Sequence, residues 1–144
     1  MDDISRWVEN KYGFVGTTVI LLRSYTNDVY EVVGDKKYLL KVYGDGWRTK
    51  PEILWEIELL DFLKKSGVGV AGAIRGKMDE KLFSININGR ERFAVMFEWA
   101  SGTKPDSPFS MNDYEKLGAV IAKIHKASDD FACNYQRQTL GIDY

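Results

Sequence analysis

Cysteine, histidine and proline are scarce in this chain of 144 residues, which holds one cysteine (Cys133), one histidine (His125) and three prolines. A lone cysteine closes no intramolecular disulfide, and one thiol with one imidazole cannot furnish a structural zinc site. Neither a disulfide framework nor a zinc fold is expected, and reducing surroundings fit best. An excess of positive charge is also missing. Twenty Lys+Arg stand against 21 Asp+Glu, a formal net charge of −1, which removes the basic footprint of a nucleic-acid binder or polybasic membrane protein. No hydrophobic run approaches the roughly 18 residues of a membrane span. The opening Met1-Asp2-Asp3-Ile4 lacks the basic and apolar regions of a signal peptide. The expectation is a cytoplasmic protein with no nucleic-acid and no membrane partner.

What is present is core-forming material, 44% apolar and 13% aromatic, in about one domain's length. A short helix is expected from Asp3 to Tyr12, where Ile4, Trp7, Val8 and Tyr12 recur at helical spacing before Gly13. Thr17 to Arg23, Asn27 to Val33 and Lys37 to Tyr43 read as strands of an antiparallel meander, with Gly34-Asp35 as a tight turn. Thr49-Lys50-Pro51-Glu52 is a capping box with proline in the first helical turn, followed by the apolar-rich Ile53 to Leu63 and ended by Ser66-Gly67. Val68 to Ile74 reads as a strand or extended segment. Leu82 to Ile87 and Glu91 to Trp99 form a hairpin around Asn88-Gly89, a type I′ turn signal. The fold class is therefore α+β, a five-stranded antiparallel sheet with one inserted helix. A linker, Ser101 to Ser110, leads to one further helix from Met111 to about Ala127, capped by Ser110 with Asp113 and striped by Tyr114, Leu117, Ile121 and Ile124. The tail from Asp129 has weak periodicity and no convincing element.

Strand alternation puts Lys41 on the same face as Leu39 and Tyr43. Two readings are open: an edge-strand lysine that snorkels to water, or a lysine that grips nucleotide phosphates and is held by a carboxylate from the following helix, as in kinases. Glu56 suits the second reading. It shares a stripe with Ile53, Leu60 and Leu63, and has Glu52 at i−4 and Leu60 at i+4, so no cation on its own helix pairs with it. Asp61 has Lys65 locally, Glu52 belongs to the cap, Glu58 is second choice, and a solvated helix face is the alternative for Glu56 itself. The turn from Arg23 to Asp28 contains no glycine, so it is either a polar hairpin turn or a non-glycine cover for phosphates. Phe93 to Gly102 runs from apolar strand into linker, where free main-chain groups suit an adenine edge or simply mark a strand's end. His125 reads as a packed or capping histidine. Asp129, Asn134 and Asp143 mimic a kinase's catalytic and metal-binding set. Ala127 stands where a His or Tyr belongs, however, and the spacing to Asp143 leaves no hairpin, so the mimicry is rejected.

Taken in order, these pieces resemble the N-terminal lobe of the aminoglycoside phosphotransferase and choline kinase-like superfamily. They are Ser24 to Val32, Leu39-Leu40-Lys41-Val42-Tyr43, Glu56 with Leu60 and Leu63 before Gly67-Val68-Gly69-Val70, Phe93 to Gly102, and Leu117-Gly118 with Ile124-His125. Trp47-Arg48-Thr49 and Arg137-Gln138-Thr139-Leu140-Gly141 look most like its bacterial stress-response kinase and homoserine kinase-like branches. The resemblance implies a protein kinase-like N-lobe over residues 1–100, a hinge at 101–110 and the start of a second lobe at 111–144. It implies that Lys41 contacts ATP phosphates, that Glu56 orients Lys41, and that the turn at Thr26 and Asn27 covers the phosphates. It also implies that Met96 lies behind the adenine, with the Phe97 carbonyl and Trp99 amide as its hinge partners. The H-G-D-x-x-x-x-N loop and the Mg2+ ligands of such enzymes are expected beyond residue 144, so the chain reads as part of a longer kinase and inactive by itself. A small-molecule hydroxyl or a protein Ser/Thr would be the acceptor. Trp99, Tyr114 and the last helix would then be left exposed and prone to self-association. The rival is a binding or interaction module that keeps the lobe's fold without catalysis.

Overall fold

The computed structural model describes residues 3–138. Helix α1 (Asp3–Tyr12) precedes strands β1 (Thr18–Ser24), β2 (Asp28–Val33) and β3 (Lys37–Val42); α2 (Lys50–Lys65) follows, then β4 (Leu82–Ile87), β5 (Arg90–Glu98) and α3 (Met111–Ser128). The five strands form one antiparallel sheet in the order β1-β2-β3-β5-β4. The β4–β5 hairpin turns at Asn88 (φ 53°) and Gly89 (φ 80°), both left-handed as the type I′ turn requires. The hairpin inserts β5 beside β3. β5 earns its central place through a four-residue run, Ala94 to Phe97, that is apolar and buried on both faces.

This order corrects the edge-strand reading of Lys41, because β3 is flanked by β2 and β5. The segment Val68 to Ile74 is extended but makes one bridge only, Ala73 to Phe97. Its Ile74 amide donates to the Met96 carbonyl (2.8 Å), and the Glu98 amide donates to the Gly72 carbonyl (2.9 Å). It thus continues the β5 edge past the point where β4 stops.

Alternation divides the core. On one face α1 contributes Val8 and Tyr12 to a cluster with Tyr30, Val32, Leu40, Val42, Phe83, Ile85, Ala94 and Met96. On the other, α2 contributes Ile53 and Ile57 to a cluster with Tyr43, Val95 and Phe97. Helix α2 begins as its sequence dictates, the Glu52 carboxylate accepting from the Thr49 amide (2.9 Å) and hydroxyl (3.0 Å). Helix α3 buries no residue, and Tyr114, Leu117, Val120 and Ile121 are exposed along it. The tail is more than an unstructured end: Phe131 packs on Trp55 and Phe62 of α2. Thr139, Leu140, Gly141 and Asp143 lie outside the described residues. Among the described residues no helix is long and apolar enough to cross a membrane.

Candidate active site

Three side chains meet between β3 and α2. The Lys41 ammonium lies 3.0 Å from Glu56 Oε1, and the Tyr43 hydroxyl donates to Glu56 Oε2 at 3.1 Å. Two residues apart, Lys41 on β3 and Tyr43 just past its end point to the same face, and the ammonium also sits 4.3 Å from the centre of the Tyr43 ring. Both oxygens of Glu56 are thereby engaged, which fixes its carboxylate plane. Burial and the adjoining Glu56 charge push the Tyr43 hydroxyl far above its ordinary pKa, with Arg137 and Arg48 acting weakly the other way. It is a permanent donor here. The pair keeps a quarter or less of each side chain accessible, 22% for Lys41 and 25% for Glu56, so it is partly desolvated and still reachable.

The β1–β2 turn is seated on the end of β3. The Gly44 amide donates to Asn27 Oδ1 (3.1 Å), and a Cβ at position 44 would stand 2.2 Å from the Thr26 carbonyl oxygen. No side chain fits there, so glycine permits the approach. The result is a cleft of about 340 Å3 lined by Arg23, Tyr25, Thr26, Asn27, Val29, Leu39 and Lys41. Thr26, Asn27 and Lys41 are thus brought together, although the Asn27 side chain is spent on the tether.

Met96 is elsewhere. It lies opposite Leu40 in the register and is fully buried with Leu40 and Tyr12 in the α1-side cluster, on the far face of the sheet from Lys41. The β5 residue on the Lys41 face at that end of the strand is Phe97, opposite Leu39. The placement of Met96 behind a nucleotide base is therefore corrected, the parity of β5 being set by its pairing with β3. Phe97 is still a rung of the ladder. Trp99, one residue past the strand, is partly exposed under the Lys37 ammonium (5.4 Å).

Asp61 pairs with Lys81, not with its helix neighbour Lys65. Glu58 is exposed and lines a separate cleft with Ala132 to Tyr135. His125 is exposed in the last turn of α3. Of the rejected catalytic mimic, Asp129 is the C-cap of α3 and Asn134 lies in the Glu58 cleft.

One polar network was not foreseen. Arg92 donates from Nε to the Tyr43 carbonyl (2.7 Å), from Nη2 to the Val42 carbonyl (3.2 Å), and from Nη1 to Asp28, which also accepts from the Ser24 hydroxyl. It staples β5 to the ends of β3 and β2, next to the turn that covers the cleft. A signal existed: alternation places Arg92 with Ala94 and Met96, an inward position that a charge occupies only with partners. Glu98 is a second tie. Its carboxylate accepts from Lys64 and from the Gly72 amide (3.0 Å), contacts that hold it below the usual carboxylate range and moor the end of β5 to α2. Among the described residues no three His, Cys, Asp or Glu side chains converge to hold a metal.

A five-stranded antiparallel sheet with a helix after its third strand, a strand lysine paired to that helix and a turn folded over them define the N-terminal lobe of a kinase-like protein. Comparison with known proteins agrees, and the chain belongs to the phosphotransferase enzyme family, whose model matches residues 18–141. It is 32% identical over 120 residues to an uncharacterized protein of Synechocystis sp., covering 82% of the chain and 33% of that protein. An uncharacterized protein of Deinococcus radiodurans is 32% identical over 127 residues, covering 86% and 36%. The chain thus spans about a third of the length of these relatives. Among solved structures it is similar to a microcompartment-associated aminopropanol kinase (TM-score 0.79, 22% identity, 96% of this chain and 44% of that one). It is also similar to an amicoumacin kinase in complex with AMP-PNP, Ca2+ and Ami (TM-score 0.81, 22% identity, 97% and 45%).

Proposed function

We propose that this chain is the nucleotide-binding lobe of an ATP-dependent phosphotransferase, and the observation that carries the proposal is the Lys41–Glu56 pair facing the cleft under the β1–β2 turn. The Lys41 ammonium neutralises phosphate oxygens, Glu56 aims it, and the Tyr43 hydroxyl keeps Glu56 from turning away. Backbone groups of Thr26 and Asn27 close over the phosphates, while Val29 and Leu39 supply apolar surface for the base. Given the parity of β5, the residue behind the adenine is Phe97 and not Met96, and the hinge contacts move one residue along with it, to the Glu98 carbonyl and the Ala100 amide. Phosphoryl transfer is catalysed by positioning and by charge stabilisation, and Lys41 and Glu56 supply one part of both.

Mg2+ would accompany the nucleotide. Among the described residues no three His, Cys, Asp or Glu side chains converge to hold it. The acceptor we favour is a small-molecule hydroxyl over a protein Ser/Thr, since both structural neighbours are kinases named for small molecules. The 144 residues contain no H-G-D-x-x-x-x-N segment, so this chain alone is expected to bind Mg-ATP weakly and to turn none over. The bare apolar residues of α3, Met111, Tyr114, Leu117 and Ile121, should make it self-associate. Sedimentation across a concentration series checks this, and a strict monomer would count against it.

The decisive test is Lys41→Ala. In the intact protein it should lower kcat/KM for ATP by several orders of magnitude with the fold unchanged. In this chain it should abolish the weak nucleotide binding expected of the wild type, with calorimetry as the measurement. Wild-type binding that survives Lys41→Ala, or no nucleotide binding at all, would favour a non-catalytic binding module.

A further inference from the structure

Helix α2 is covered on two sides. Ile53 and Ile57 are buried against Val95 and Phe97 of the sheet, while Trp55 and Phe62, seven residues apart and thus two turns along one stripe, lie roughly opposite them on the helical wheel. The chain after α3 closes over that outer stripe. The Phe131 ring sits 5.5 Å from that of Trp55, edge to face at 85°, and 5.4 Å from that of Phe62. Six residues on, the Arg137 guanidinium lies 5.2 Å over the same Trp55 ring. Trp55 immediately precedes Glu56, so the residue gripped from outside is the neighbour of the one that reaches the strand lysine.

The Asp61–Lys81 and Lys64–Glu98 pairs tie the later turns of α2, so a roll about the helix axis is freest in its first half, where Glu56 sits. The carboxylate tip of Glu56 is about 6 Å from that axis, and a roll of about 30° moves it by about 3 Å, enough to break a 3.0 Å contact with Lys41. Two anchors on the far side oppose the roll. An edge-on aromatic pair has a preferred geometry, and a guanidinium over an indole holds the ring's other contact.

We propose that residues 131–137 are a strap that sets the rotation of α2, with Phe131 and Arg137 as positioning residues for the Lys41–Glu56 pair. The proposal deepens the nucleotide-binding reading above and rests on it for its functional meaning, but its geometry is tested without nucleotide. The strap lies beyond the linker and α3, so the state of the pair is controlled from the part of the chain that follows the hinge. Releasing the strap would let Glu56 swing away while the sheet stays intact.

The test is lysine acylation of the folded 144-residue chain by a small N-hydroxysuccinimide ester, with each lysine's rate read by mass spectrometry. Glu56→Gln frees Lys41 and sets the upper limit, a rise of about fivefold for loss of a partly exposed pair. Phe131→Ala should take the Lys41 rate most of the way to that limit, Arg137→Ala about twofold in the same direction, and Phe131→Tyr, which keeps the ring, should restore the wild-type rate. Lys37 is the internal control, because its partner Glu31 is on the sheet, and its rate should not move. An unchanged Lys41 rate in both alanine variants overturns the strap. So does a parallel rise at Lys37, which would mean general loosening. Arg137 is exposed, so Arg137→Ala keeps the test alive if Phe131→Ala does not fold. Protection of wild-type Lys41 by Mg-ATP, titrated up to concentrations that saturate weak binding, is a separate arm: its absence throughout defeats the nucleotide reading and leaves the strap standing.

Discussion

The two faces of the sheet are built differently. The α1 face is dry over most of its area: Leu40, Val42, Ala94 and Met96 are fully buried against Val8 and Tyr12. Even the Tyr12 hydroxyl is met, by the Met96 amide at 3.3 Å, and burial pushes its pKa well above the ordinary value. The α2 face uses the same strand, one residue out of phase, to carry Lys41 and Tyr43 into contact with Glu56. One side of β3 holds the fold together and the other leaves a charge poised at a cleft. Because alternation is strict, the division costs no extra sequence.

That division makes the sharpest prediction a comparison of neighbours. Leu40→Ala should destabilise the domain by about 2–5 kcal/mol, as a large-to-small change at a fully buried position. Lys41→Ala, one residue along, should cost about 1 kcal/mol or less, because a partly exposed pair contributes little net stability and Glu56 keeps the Tyr43 hydroxyl. Urea melts of the two variants check this directly, and equal losses would dissolve the contrast.

The dry face is broken at one end, where Arg92 and Asp28 sit 14% and 15% exposed. Arg92→Ala leaves the Asp28 carboxylate with the Ser24 hydroxyl alone and takes a donor from two main-chain carbonyls, so it should cost about 3 kcal/mol. Arg92→Lys should recover only part of that, since an ammonium cannot reproduce the planar fork that serves three acceptors. If Lys fully substitutes, the geometry of the fork is irrelevant and only its charge matters.

Most of the fold was legible because its signals are local. The capping box at Thr49, the Asn88-Gly89 turn and the alternation of β3 each need only a few neighbouring residues. The Lys41–Glu56 pair was legible by elimination, Glu56 having no partner on its own helix. The same elimination failed at Asp61, where a lysine four residues away was available and a more distant one, Lys81, took it. Met96 was misplaced for a different reason. Ala94 to Phe97 are apolar on both faces, so their sequence carries no parity, and the face is decided by register with β3. The tail was illegible because it packs through Phe131, one ring in a segment without periodicity. Long-range register and single-ring contacts are tertiary facts with no local trace.

The smallest of these effects concerns acid. Burial would raise the carboxyl pKa of Asp28, but the Ser24 hydroxyl and Arg92 outweigh it and hold the group below its ordinary value. A carboxyl whose folded-state pKa is depressed binds its proton less readily folded than unfolded, so its contribution is complete above the unfolded pKa and is lost as pH falls through the folded one. Asp28→Asn removes the charge and one of the two accepting oxygens, leaving the amide oxygen for Arg92 while the Ser24 hydroxyl can turn to accept from the amide nitrogen, so it should cost about 1 kcal/mol at neutral pH. The gap between wild type and variant should close in strong acid, leaving the variant with the shallower acid limb in urea melts taken across that range. In an Arg92→Ala background the sign should change. The carboxylate is then a buried charge without its cation, and Asp28→Asn should be neutral or stabilising at neutral pH. The same loss in both backgrounds would mean that Asp28 and Arg92 are not coupled, and that the polar end of the α1 face is held by the main-chain contacts of Arg92 alone.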